Sequence, residues 1–199
     1  MIITDKIRCG WCHSSDLYMK YHDEEWGVPV YDDTTLFEFL LLETFQAGLS
    51  WITILNKREN FKAAFDQFDY KKIAHYSDDK IQELLQDAGI IRNKLKVYSA
   101  VTNAQNFIKI QEEFGSFSQY IWAFVNHTPI NNSPRTLKEI PATSPISDSI
   151  SMDLKKRGFK FVGSTVMYAF MQATGMVDDH VENCWKRNSL PQMDVKSPD

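Results

Sequence analysis

A cysteine and a histidine stand near each end of this 199-residue chain: Cys9 and His22 at the start, His180 and Cys184 at the finish. If the four meet, nearly the whole chain closes into one loop, a demand few folds satisfy. His180-x-x-x-Cys184 has the i,i+4 spacing that puts both side chains on one helical face. Cys9 with His22 then completes the four soft or borderline donors that tetrahedral zinc prefers. A metal there would stabilise the fold by removing the entropy of a long loop from the unfolded state. The plainer alternative is two unrelated pairs of ordinary residues, since the interval between the halves fits no standard finger.

A second motif overlaps the first. Cys9-Gly-Trp-Cys12-His13 matches the C-x-x-C-H of covalent haem attachment and, without its His, the C-x-x-C of dithiol redox enzymes. Haem attachment follows export, and MIITDKIRCGW contains no apolar stretch ending in a small-residue cleavage site. A redox C-x-x-C sits between a strand and a helix, whereas here a Tyr-rich and then strongly helical region follows. Zinc ranks above redox, with Cys12 either a spare thiol or a substitute ligand. Three cysteines, an odd number, and no apolar run of membrane length point to a reducing, cytoplasmic setting with no membrane partner. The formal charge of −4 offers no general attraction to phosphate, so contact with nucleic acid must come from a local basic cluster and oriented amides.

Helical periodicity dominates, with no series of alternating strands and no internal repeat, so the expected class is all-α. Asp33 or Thr34 can cap a helix through LFEFLLLETFQAG, apolar on nearly every side and therefore central. A second helix follows over about 50–57. Ser77 caps another, with Asp78 and Asp79 in its first turn and Ile81, Leu84, Leu85 and Ala88 on its apolar face. Gly89 stops it and the next begins near Arg92, with Val97, Val101, Ala104 and Ile108 as its stripe. The Pro-rich stretch 128–145 reads as a long loop, and 148–157 and 164–174 as helices. One domain over 1–187, with the two-helix element at about 77–112, leaves a polar tail over 188–199.

Ala88-Gly89-Ile90-Ile91-Arg92-Asn93-Lys94 is a helix–hairpin–helix candidate. Amides at the start of the second helix can bind a phosphate, and Arg92, Lys94 and Lys96 add positive charge. A glycine turn between helices can also be mere connection. Lys155, Lys156, Arg157 and Lys160 form a second basic run, whose default reading is a solvated face. Glu43 in LLLETF has neighbours that should be buried, where an ionised carboxylate is unfavourable unless paired or needed. Either it emerges on a wet face or pairs with a base, or it is functional. Glu38, near the helix start, reads as structural. Trp11, Tyr18, Tyr21, Trp26 and Trp51 fill a core or, beside a carboxylate, form a pocket that stacks on a flat cationic ring. Gly48 and Leu49 read either as a helix terminus or as an apolar wedge beside an extruded base.

Taken together, RCGW (8–11), LYMKYHDEEWGVP (17–29), LFEFLLLETFQAGLSWITIL (36–55), KREN (57–60), DAGIIRNK (87–94), FVNH (124–127) and KKRGFKFVGSTVMYAFMQATGMVDDHVENC (155–184) resemble the 3-methyladenine DNA glycosylase I family, in the expected order and over most of the chain. The resemblance implies a helix–hairpin–helix fold and a structural zinc, Zn2+, held by Cys9, His22, His180 and Cys184. It implies a pocket of Trp11, Tyr18, Tyr21, Glu43 and Trp51 for the excised base, with Glu43 the catalytic candidate. Gly48 and Leu49 would lie beside the lesion, and Gly89, Ile90, Ile91, Arg92 and Lys94 would grip the phosphodiester backbone. The expected partners are alkylated double-stranded DNA and 3-methyladenine, and the expected state is a monomer. The family departure is CGWCHSSDLY, where Cys12 and His13 occupy positions that need not hold metal donors. The alternatives are a non-catalytic DNA-binding module, which has no need of Glu43 and the aromatics, and a zinc or dithiol redox protein, which depends on Cys9 and Cys12 together.

Overall fold

The computed structural model describes residues 6–188; most of the expected polar tail, 189–199, lies outside them. Among the described residues ten α-helices follow one another: α1 Asp16–Glu24, α2 Asp33–Gln46, α3 Trp51–Leu55, α4 Arg58–Ala64, α5 Tyr70–Ile73, α6 Asp78–Gln86, α7 Lys94–Phe114, α8 Phe117–Ala123, α9 Pro145–Lys156 and α10 Ser164–Ala173. Among the described residues the only strands are the two-residue β1, Ile130–Asn131, and β2, Val177–Asp178, paired in parallel. The fold is therefore mostly helical.

The apolar run predicted to be central is central. Leu36, Phe37, Phe39, Leu40, Leu41, Leu42 and Phe45 of α2 are all buried, and the helix packs against α3, α7, α8 and α10. Its cap is one residue earlier than expected, because the Asp32 carboxylate accepts from Thr35 N at 2.8 Å. Asp33 instead accepts from the amides of Phe117 and Ser118 at 2.9 and 2.8 Å, capping α8 and tying its start to α2.

Ser77 caps α6 through Lys80 N, as the sequence predicts. The helix ends at Gln86, before Gly89, and α7 starts at Lys94 because Asn93 is its N-cap, accepting from Lys96 N. α9 begins at Pro145, three residues ahead of the expected 148: Ser144 and Ser147 form a reciprocal capping box with proline in the first turn. The predicted loop 128–145 contains β1 and a 3-10 turn, Leu137–Glu139. β1 joins β2, and so holds the segment just before His180 in place.

The segment 27–30 is clamped on the end of α10, Gly27 N and Val30 N donating to the carbonyls of Gln172 and Thr174. Gly175, at φ +69°, allows this approach, since a β-carbon there would lie 2.4 Å from Pro29 N. The two ends of the chain meet directly: Trp185 N donates to Ile7 O at 2.9 Å.

Candidate functional site

Cys9, His22, His180 and Cys184 come together, fully buried, with their donor atoms all within 4.8 Å of one another. Cys184 Sγ lies 3.4 Å from His22 Nε2 and 3.5 Å from His180 Nδ1, and Cys9 Sγ lies 3.6 Å from His180 Nδ1. Zinc bonds of about 2.3 Å to sulfur and 2.0 Å to nitrogen imply a tetrahedron with edges of roughly 3.3–3.8 Å, so these separations fit. His180 and Cys184 do not share a helix, as their spacing had suggested. Both lie in the irregular turn after β2.

The outer ring nitrogens are also committed. His22 Nδ1 meets Asp23 Oδ1 at 2.9 Å, and His180 Nε2 faces Trp26 O at 3.2 Å. Each imidazole is thereby oriented with its other nitrogen toward the cluster. Burial alone would push Asp23 up, but hydrogen bonds from Arg8, His22 and Trp185 outweigh it and hold the carboxyl at about 2. The bond between the two thiols holds Cys9 up and Cys184 down. Two buried sulfurs and two imidazole nitrogens converging on one point are a donor set that suits zinc, which would hold both sulfurs as thiolates. Cys12 is no member of the cluster: its thiol donates to Cys9 O at 3.1 Å, while His13 is exposed. The C-x-x-C pair thus points two ways, with Cys9 facing the histidines.

Against this cluster lies a cavity of about 340 Å³ lined by Trp11, Tyr18, Tyr21, Trp26, Glu43, Gln46, Trp51, Leu137, Ile140, Ala169 and Gln172. All five residues expected in a pocket are there. Tyr18 and Tyr21 share a face of α1 with ring centroids 6.5 Å apart, Trp11 sits 4.8 Å from Tyr18, and Trp51 sits 5.4 Å from Tyr21. Glu43 is neither on a wet face nor paired. It is 2% exposed, and Oε2 has no hydrogen-bond partner among the described residues. Burial pushes its carboxyl up to about 8. The indole Nε1 of Trp51 is likewise buried without an acceptor. Unsatisfied groups of opposite character in one cavity mark a place for a polar, flat ligand. Glu38 is structural, accepting from Arg58 at 2.7 Å.

Sequence reasoning missed Gln46, Leu137, Ile140, Ala169 and Gln172. Gln46 follows Glu43 by three on α2 and Gln172 follows Ala169 by three on α10, so helical spacing carried a signal once one member was known. Leu137 and Ile140 arrive from the loop, where no spacing rule places them. Gly48 and Leu49 lie between the cavity-lining Gln46 and Trp51. Gly48 has φ +82° with open space around it, and Leu49 is exposed.

The α6–α7 turn forms an open groove with Lys57, Ala88, Ile90, Ile91, Arg92 and Asn93 along it. Gly89 N donates to Asp87 Oδ1 at 2.7 Å, and a β-carbon on Gly89 would press within 3.1 Å of Asn60. Lys57 Nζ donates to the carbonyls of Ala88 and Gly89 at 3.0 and 3.2 Å, fixing the turn. The first-turn amides of α7 have no intrahelical acceptor, as at any helix start, and Arg92 and Lys94 are exposed beside them. Lys96 is a correction. It is 5% exposed and donates to Phe45 O and Ala47 O at 2.7 Å each, capping α2 instead of adding charge to the groove. In the later basic run, Arg157 pairs with Glu113 and Asp153, while Lys155, Lys156 and Lys160 are exposed.

The family model described as methyladenine glycosylase matches residues 11–187. DNA-3-methyladenine glycosylase 1 of Escherichia coli (strain K12) is 50% identical over 177 residues, covering 89% of this chain and 95% of its own. A crystal structure of a 3-methyladenine DNA glycosylase I aligns with a TM-score of 0.88 at 46% identity, over 90% of this chain and 98% of that one. The 3-methyladenine DNA glycosylase I of Staphylococcus aureus, solved to define how it recognises 3-methyladenine, aligns with a TM-score of 0.87 at 35% identity, over 90% and 95% of the two chains.

Proposed function

The chain belongs to the methyladenine glycosylase family, and from that premise we propose that it is a DNA-3-methyladenine glycosylase, hydrolysing the N-glycosidic bond of 3-methyladenine in alkylated double-stranded DNA and releasing the free base. The observation that carries the reading is Glu43, a buried carboxyl without a partner in an aromatic-lined cavity.

3-Methyladenine in DNA is cationic and its glycosidic bond is already weakened, so selection can do most of the work. The target nucleotide leaves the stack, with Leu49 filling the space beside it and Gly48 giving the turn its shape. Trp11, Tyr18, Tyr21 and Trp51 surround the flat cation, whose charge their faces attract. A cation entering beside Glu43 opposes the effect of burial and favours the ionised carboxylate, which then bonds the adenine edge. The bond to the sugar breaks with its electron pair going to the base, which departs neutral. Water adds to the sugar and releases its proton to solvent. The carboxylate opposite the developing sugar charge stabilises it electrostatically. The enzyme is monofunctional in this scheme, because no amine is needed as a nucleophile.

The groove at Gly89, Ile90, Ile91, Arg92 and Lys94 acts as a helix–hairpin–helix grip on one phosphate, supported by the Lys94 and Leu95 amides at the start of α7, which the Asn93 cap leaves unused, and by the exposed cations. A zinc ion held by Cys9, His22, His180 and Cys184 would supply a cross-link and no chemistry, because four protein donors leave no open position. The described residues up to 187 act as one domain, a reading supported by a cavity that draws on residues from Trp11 to Gln172; residues 1–5 of the expected domain lie outside the described residues. The protein works as a cytoplasmic monomer; among the described residues no helix is long and apolar enough to cross a membrane.

Chromatography of free purines released from methylated duplex DNA tests the assignment. The protein should release 3-methyladenine, and Glu43→Gln should lower kcat/KM by about 10–100-fold through loss of a charge-assisted hydrogen bond. No release by folded protein would sink it, and full activity in the variant would remove Glu43 from the pocket chemistry.

A further inference from the structure

One polar side chain in the cavity has its orientation dictated from behind. Gln172 lines the cavity from α10, and its Nε2 donates to Asp179 Oδ2 at 2.7 Å. Asp179 is 1% exposed and takes two further donors, Tyr168 OH on Oδ2 at 2.8 Å and Asn132 Nδ2 on Oδ1 at 2.7 Å. Asn132 Nδ2 also reaches Tyr168 OH at 3.2 Å. A carboxylate surrounded by donors only accepts, so of the two ends of the Gln172 amide it can hold only the NH2. Reversing the amide would set its carbonyl against the carboxylate. The Gln172 side-chain oxygen is therefore the polar atom left for the cavity, and it has no donor among the described residues.

We propose that Gln172 is a specificity-determining residue: locked by Asp179, it offers the bound base a hydrogen-bond acceptor, so that the pocket selects methylated purines with a 6-amino group over those with a 6-oxo group. This rests on the glycosylase reading and goes beyond it to the choice among alkylated purines. A 6-amino group brings donors, one for the Glu43 carboxylate and one for Gln172. A 6-oxo group sets its own lone pairs against the same acceptor, and a site that leaves buried polar groups unpaired discriminates strongly. Neither Asp179 nor Asn132 touches the base. They act by removing the amide's freedom to rotate and adapt to either edge.

The test compares wild type, Gln172→Leu and Asp179→Asn on methylated duplex DNA, quantifying released 3-methyladenine and 3-methylguanine together, with thermal unfolding to establish that each variant is folded. Gln172→Leu should lower kcat/KM for 3-methyladenine about tenfold and leave 3-methylguanine within about twofold, narrowing the preference about tenfold. Asp179→Asn should narrow it in the same direction by a smaller factor, and the double variant should be no worse than Gln172→Leu, since both changes act on one contact. Equal losses for the two bases, or an unchanged ratio in folded Gln172→Leu, would overturn the assignment. A wild type that releases neither base would instead overturn the glycosylase reading, and this one with it.

Discussion

Glu43 carries two opposed demands. The carboxyl that suits a cationic base is, in the empty cavity, a group whose burial pushes it up to about 8. A carboxyl with its folded-state value raised holds its proton while the unfolded chain has lost it. Stability is thus fully present below the unfolded value near 4.5 and declines as pH rises toward 8. Thermal unfolding of the wild type should show that decline between about pH 5 and 8, whereas Glu43→Gln should be nearly flat there and more stable at pH 8, by about 1–3 kcal/mol. A wild-type profile flat across the window would mean the carboxyl is already paired. Legibility divides at this scale too. LLLETF announced a carboxyl amid apolar neighbours, but whether it was wet, paired or orphaned depended on α3, α10 and the loop over it. Lys96 was misread for the converse reason: a lysine near Arg92 and Lys94 in sequence looks like part of their cluster, and only packing shows its ammonium on the carbonyls at the end of α2.

At the scale of elements, caps decided where helices begin, and caps were partly readable. Ser77 was found because its acidic first turn and apolar stripe agreed. Asn93 and Ser144 were passed over because Gly89 and the prolines suggested other boundaries, although Pro at the first position and Ser three residues after Ser144 are start signals. The α6–α7 turn owes its shape to a residue outside it, Lys57, which no local pattern ties to Ala88 and Gly89. Lys57→Met should free those carbonyls and loosen the amides on the opposite side of the turn. Duplex affinity, read by fluorescence anisotropy, should fall about tenfold while binding of free 3-methyladenine stays unchanged. Equal weakening of both would place Lys57 in general stability and not in the grip on phosphate.

Across the whole molecule, the four donors near the ends were legible as residues and illegible as a place. Their helical spacing was misleading, since His180 and Cys184 are gathered by a turn, held by β1, by the Pro134 carbonyl that accepts from Glu182 N, and by the Trp26 carbonyl at His180. One zinc per chain should be found by elemental analysis, and stripping it with a chelator, or Cys184→Ser, should lower Tm by roughly 5–15 °C. An unchanged Tm with the zinc gone would mean the hydrogen bonds around Asp23 suffice. The cavity shares this long-range construction, since Trp11 and Tyr18 face Ala169 and Gln172 across it. During synthesis the α6–α7 turn is complete long before the chain that finishes the cavity has left the ribosome. A nascent chain stalled in α9 therefore already carries the turn proposed to grip phosphate and the aromatic side of the cavity, but it lacks Ala169 and Gln172, so the cavity closes only once α10 has emerged.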